Sequence, residues 1–162
     1  MKLKRLLSVL DVCECTADPE LDVRDISFDS RTTQPGDLFA AVCGYESDGH
    51  RFIGAAVARG AAVVLCQKKP EVDIPYILVA DSRLALSRIC CEFFGNPSRE
   101  LTMIGVTGTN GKTTVTTLIK HMLEQCLHTK VGLIGTNANI IGDEVLHTCL
   151  LYTSPSPRDI SG

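Results

Sequence analysis

Apolar and polar positions change period along this chain, and the changes mark out alternating helices and strands. Leu3, Leu6, Leu7 and Leu10 share one helical face, which predicts a first amphipathic helix. Residues 23–28 alternate in the manner of a half-buried strand, and 37–42 predict the next strand after the Pro35-Gly36 turn. A polar loop over 44–50 leads into a helix over 52–59 that stops at Gly60. Residues 61–66 and 74–79 are short apolar runs, the pattern of buried strands. Asp81 or Ser82 is placed to cap a helix whose apolar face is Leu84 or Ala85, Ile89 and Phe93, ended by Gly95-Asn96-Pro97-Ser98. Residues 101–107 predict another apolar strand. Val115, Leu118, Ile119, Met122, Leu123 and Cys126 then recur at helical spacing, and 130–136 predict a further strand.

Strands alternating with helices indicate an α/β protein with a parallel sheet. The punctuation at 95–99 divides it into a small α/β domain over 1–96 and the start of a second, parallel-sheet domain over 97–148. Two strands and one helix are too few to cover a parallel sheet on both faces, so the second domain is expected to be incomplete. From Cys149 onward the chain has Pro155 and Pro157 within three residues and no periodicity. Residues 149–162 therefore read as an unstructured tail, foreign sequence joined to a truncated gene.

Composition narrows the function. With 44% hydrophobic and 22% charged residues and a net charge of −3, the chain carries no bulk signal for nucleic acid. Residues 1–10 begin like a secretion signal, but Asp11 closes the apolar stretch early and no small-residue cleavage site follows. No run approaches the roughly 20 apolar residues of a membrane span, and a cytoplasmic protein is expected. The eight cysteines include no Cys-x-x-Cys, so reduced thiols acting as small hydrophobes are expected. His50, His121, His128 and His147 lack metal-type spacing.

The chemistry concentrates where the strand over 101–107 meets the helix that follows. Gly108 and Gly111 allow a tight turn whose N–H groups face inward, and the helix start presents its positive end to an anion. Lys112 supplies a mobile cation for outer phosphates, and the Thr113 hydroxyl suits a magnesium ion bridging them. Val106 stands where the general phosphate-loop pattern has its first glycine, so only the short form is present. On the loop alone, a kinase or a GTPase remains an alternative.

Thr107-Gly108-Thr109-Asn110-Gly111-Lys112-Thr113-Thr114 resembles the ATP loop of the Mur ligases and their folylpolyglutamate synthetase relatives. Asp29-Ser30-Arg31, Pro35-Gly36-Asp37-Leu38-Phe39, Asp48-Gly49-His50-Arg51-Phe52-Ile53 and Gly60-Ala61 resemble, in that order, the N-terminal domain of the tripeptide-synthetase branch of that family. The resemblance covers residues 1–148 and implies a Rossmann-like first domain followed by a phosphate-loop ATP-binding domain. It further implies an ATP- and Mg²⁺-dependent ligase that joins meso-diaminopimelate or L-lysine to UDP-N-acetylmuramoyl-L-alanyl-D-glutamate through an acyl phosphate, in peptidoglycan synthesis. ATP would lie on Gly108, Thr109, Asn110, Gly111, Lys112, Thr113 and Thr114, with Lys112 catalytic and Thr113 on the metal. The UDP substrate would meet Phe28, Ser30, Tyr45, Glu46 and Ser47. Partners would be small molecules only, with no protein or membrane partner, and the isolated chain is expected to be inactive. A folylpolyglutamate synthetase-like enzyme and a non-catalytic UDP-sugar-binding module are the remaining readings.

Overall fold

The computed structural model describes residues 1–44, 48–135 and 138–146. The chain divides into two compact units, Met1–Thr102 and Met103–Gly162.

The first unit contains helices α1 (Leu3–Leu7), α2 (Ile53–Ala58) and α3 (Ser82–Phe93), and strands β1 (Val12–Cys15), β2 (Ile26–Ser27), β3 (Leu38–Ala40), β4 (Val63–Cys66) and β5 (Tyr76–Val79). The sheet runs β1-β5-β4-β3-β2; β2 to β5 are mutually parallel and β1 is antiparallel to β5. Strand residues alternate between faces, so the sheet needs two covers. Leu38, Ala40, Val63, Leu65, Ile77 and Val79 face one core with Leu3 and Leu6 of α1 and Ala85 and Ile89 of α3. Phe39, Ala41, Val64 and Cys66 face the other with Ile53 and Ala56 of α2. Each fully buried Val, Leu, Ile or Phe side chain among these contributes about 1.5–3 kcal/mol relative to exposure.

The predicted elements of this unit are present with shorter ends. Asp81 is the cap of α3: its Oδ1 accepts from the backbone N–H of Arg83 at 2.9 Å and Leu84 at 3.0 Å. Ala85 faces the core and Leu84 is half exposed. Strand β1 is not visible in the sequence pattern, because its four residues lack alternation; pairing to β5 creates it.

The second unit contains α4 (Lys112–Leu127) and strands β6 (Gly132–Ile134), β7 (Asn139–Ile141) and β8 (Glu144–Leu146). These strands form an antiparallel meander, which replaces the parallel sheet expected from the sequence. The strand expected over 101–107 does not form, because no ladder partner lies beside it among the described residues, and Met103 and Ile104 are exposed. The expected apolar face of α4 is also open: Val115, Leu118 and Met122 are exposed, while its buried residue is Lys120, paired with Glu124 at 2.7 Å. The meander meets α4 through β6, which leaves most of that stripe uncovered. Of the strand expected over 130–136, β6 is observed and residue 136 lies outside the described residues.

Candidate functional site

In the second unit, the turn before α4 is shaped by two glycines with positive φ, Gly108 at +148° and Gly111 at +78°. Gly111 is the residue preceding the first helical turn and offers no side-chain oxygen to it. The N–H groups at the head of α4 thus have no side-chain cap, and no acidic side chain stands in that turn. Orphan donors at the positive end of a sixteen-residue helix form a cradle for an anion. Lys112 reaches back over the loop and donates from Nζ to the carbonyl of Gly108 at 2.5 Å and, more weakly, of Thr109 at 3.5 Å. Thr109, Asn110, Thr113 and Thr114 are exposed around it. The carbonyl of Thr113 accepts from the hydroxyls of Thr116 and Thr117, which stiffens the first turn. All seven residues expected to meet ATP therefore sit at one loop–helix junction.

In the first unit, the parallel strands bring the residues after β2, β3, β4 and β5 to one edge of the sheet, where ligands gather in such folds. Phe28 follows β2 and is 37% exposed. Ser30 is half-buried on a turn organised by Asp29. The Asp29 carbonyl accepts the N–H groups of Thr32 and Thr33, and its carboxylate takes the Arg31 guanidinium and backbone N–H. Those bonds, the guanidinium's foremost, hold the Asp29 carboxyl below its ordinary range. Arg31 thus secures the turn. Tyr45, Glu46 and Ser47 lie outside the described residues.

The same edge holds a cluster that sequence reasoning missed: Cys43, Asp48 and His50, whose polar atoms lie within 4.8 Å of one another. Asp48 Oδ1 accepts the His50 backbone N–H at 3.0 Å and lies 2.6 Å from His50 Nδ1. Cys43 Sγ donates to the same oxygen at 3.3 Å, and Lys68 donates to Oδ2 at 3.1 Å. The His50 backbone N–H, then its ring and Lys68, hold the Asp48 carboxyl far below its ordinary range, while the bond to Asp48 raises the Cys43 thiol.

On its far side, His50 Nε2 accepts the backbone N–H of Gln67 at 2.9 Å. A backbone N–H can only donate, so Nε2 carries the lone pair and Nδ1 carries the proton directed at Asp48. A metal on Nδ1 would leave the ring without a proton while Nε2 still faced a donor. This group is therefore built as a hydrogen-bond hub and not as a metal centre. The residues are spaced by five and two, which matches no ligand pattern; only their place in the Asp48-Gly49-His50 motif marks them. Gly49 is fixed by contact, since a Cβ there would lie 2.6 Å from the Val42 carbonyl oxygen.

The cysteines depart from expectation. Among the described residues only Cys66 is buried, with its thiol pushed up to about 11 by desolvation; Cys13, Cys15, Cys43, Cys91 and Cys126 are exposed. Cys13 and Cys15 sit on the edge strand β1, Cys91 and Cys126 on exposed helix positions and Cys43 in the loop after β3, which a local apolar run does not distinguish from the core. Cys149 lies outside the described residues, as does the tail over 149–162.

Comparison with known proteins finds two family models. Residues 22–93 match the Mur ligase family, catalytic domain, and residues 106–155 match the Mur ligase middle domain. A UDP-N-acetylmuramoyl-L-alanyl-D-glutamate–2,6-diaminopimelate ligase of Bacteroides fragilis is 41% identical over 160 residues, covering 97% of this chain and 32% of that protein. A solved structure of a ligase of the same name superposes with a TM-score of 0.71 at 25% identity, over 90% of this chain and 29% of the other. The MurF ligase of Thermotoga maritima in complex with ADP matches at 31% identity and a TM-score of 0.50, over 64% of this chain and 24% of the other. The chain spans about a third of the length of the curated relatives it matches.

Proposed function

Because the chain belongs to the Mur ligase family, we propose that it supplies the UDP-substrate and nucleotide sites of an ATP-dependent ligase acting in peptidoglycan synthesis. The amine acceptor is UDP-N-acetylmuramoyl-L-alanyl-D-glutamate, and the added amine is 2,6-diaminopimelate, following the names of the relatives; L-lysine is the competing amine. The observation that carries this reading is the Gly108–Gly111 cradle with Lys112 at the head of α4, inside the middle-domain match.

The chemistry asks two things of these residues. A carboxylate is a poor electrophile, so the D-glutamate oxygen first attacks the γ-phosphorus of ATP and the bond to the leaving ADP oxygen breaks. The amine then attacks the acyl carbon and inorganic phosphate departs. Lys112 neutralises charge on the phosphoryl group in flight, and the cradle N–H groups hold the remaining phosphates in line. Thr113 is the residue that would hold Mg²⁺, which would supply neutralisation of phosphate charge. The exposed ring of Phe28 and the hydroxyl of Ser30, with Tyr45, Glu46 and Ser47, hold the uracil and diphosphate. The reaction runs in the cytoplasm, where ATP is available. Among the described residues, no helix is long and apolar enough to cross a membrane.

Calorimetric titration of the chain with Mg-ATP and, separately, with UDP-N-acetylmuramoyl-L-alanyl-D-glutamate tests the reading. Binding of both is expected, with Lys112→Ala weakening only the nucleotide. A chain that binds neither compound, or prefers GTP to ATP, would refute it.

A further inference from the structure

The end of β2 carries a buried hydroxyl pair that neither the nucleotide cradle nor the proposed substrate contacts use. Ser27, the last residue of β2, and Thr33, at the far end of the turn that follows, are both buried, Thr33 at 1% exposure. Their hydroxyl oxygens lie 3.0 Å apart, and Thr33 Oγ1 also donates to the Asp29 carbonyl at 3.1 Å. A carbonyl only accepts and a hydroxyl has one proton, so Ser27 is the donor within the pair. One oxygen, Thr33 Oγ1, therefore holds the residues on both sides of Phe28, and Ser30 follows directly from Asp29. The sheet alone gives this stretch little support. Strand β2 is two residues long and lies at the sheet edge, paired with β3 through Ile26 and Ser27. A buried hydroxyl pair adds little net stability over an apolar pair of the same shape, but its bonds have direction and fix a geometry that packing does not.

We infer that Thr33 is a positioning residue for the UDP substrate, an inference that rests on the reading of Phe28 and Ser30 as contacts of that substrate. Thr33 is too buried to meet a ligand itself. Its oxygen ties the strand end to the turn and so sets the separation between the Phe28 ring and the Ser30 hydroxyl. The Asp29 carbonyl has further donors in the N–H groups of Thr32 and Thr33 and the hydroxyl of Thr32, so the turn closes without the Thr33 side chain. What the Thr33 hydroxyl adds is the link to β2. With that link the two contacts are held at a fixed spacing before the substrate arrives, which lowers the ordering cost of binding.

Titrations of the full chain with UDP-N-acetylmuramoyl-L-alanyl-D-glutamate and with Mg-ATP, with thermal midpoints, test this in Thr33→Ser, Thr33→Val, Ser27→Ala and the double variant Ser27→Ala/Thr33→Val. Thr33→Val leaves the Ser27 hydroxyl buried without its partner and should lower the midpoint by about 4–8 °C. The double variant removes both hydroxyls, leaves neither stranded, and recovers most of that shift. Binding separates from stability. Loss of the link predicts about tenfold weaker UDP-substrate binding in Thr33→Val, Ser27→Ala and the double variant alike. Thr33→Ser keeps the hydroxyl and stays within about twofold, as does Mg-ATP affinity in every variant. Recovery of UDP-substrate affinity together with the midpoint in the double variant would overturn the inference, because it marks a purely structural role. So would undiminished UDP-substrate binding by folded Thr33→Val, equal losses in Thr33→Ser and Thr33→Val, or a parallel fall in Mg-ATP affinity. An unsubstituted chain that binds Mg-ATP but no UDP compound overturns the reading of Phe28 and Ser30, and the inference with it.

Discussion

In the first unit Val64 and Leu65 are neighbours on β4, point to opposite faces, and are both fully buried; in the second, Leu118 and Met122 are neighbours along α4 and are 57% and 65% exposed. The contrast separates two ways of making a binding site. The edge of the first sheet is held by non-local packing, with two helical layers fixing the strand ends from which Phe28 and Ser30 extend and to which His50 is bonded. The anion cradle of the second unit needs only two glycines, a lysine and the first turn of a helix, all local in sequence. It is formed although the stripe of α4 beside it is open.

The largest effect expected from this contrast is at Leu65. Leu65→Ala should cost about 2–5 kcal/mol in urea unfolding, since the lost transfer energy and the cavity left behind both weaken a packed core. A loss below about 1 kcal/mol would mean that the first unit is looser than its burial implies. Lys112→Ala comes next: losing a charge-assisted contact of about 1.5–3 kcal/mol should weaken Mg-ATP binding roughly 10- to 100-fold. The unfolding midpoint of the first unit should not move, and a parallel drop would erase the distinction between local and packed sites.

Asp48→Asn should act more gently and with a definite pH dependence. The Asp48 carboxyl titrates lower in the folded chain than its unfolded value of about 3.9, so its contribution is full above about pH 4 and fades as pH falls through the folded value. The stability gap between parent and variant, from urea midpoints, should therefore narrow on going from pH 6 to pH 3; a constant gap would contradict it. Leu118→Ala should be nearly silent, within about 0.5 kcal/mol, because its side chain is already in water.

The same contrast explains what is legible in the sequence. Buried strands announce themselves by apolar runs, so β3, β4 and β5 are readable, and Asp81 marks the start of α3 through its own side chain. The glycine cradle is readable because its geometry is written into the residues that form it. Residues 101–107 have the composition of a strand, but a strand exists only through its ladder, and none is supplied beside them among the described residues. Strand β1 fails in the opposite direction: its partner lies far along the chain. The His50 hub is hidden for that reason too, since nothing local to His50 reveals that the N–H of Gln67 would lie 2.9 Å from its ring.

The antiparallel strand β1 has a consequence for biosynthesis. It leaves the ribosome while its partner β5 is still untranslated; Glu14 and Tyr76, joined by a hydrogen bond in the folded chain, are 62 residues apart. At about 5–20 residues per second, that edge waits about 3–12 s for its complement. During that interval Cys13 and Cys15 and an unsatisfied strand backbone face whatever the nascent chain encounters, so the cotranslational hazard of this sheet lies at β1.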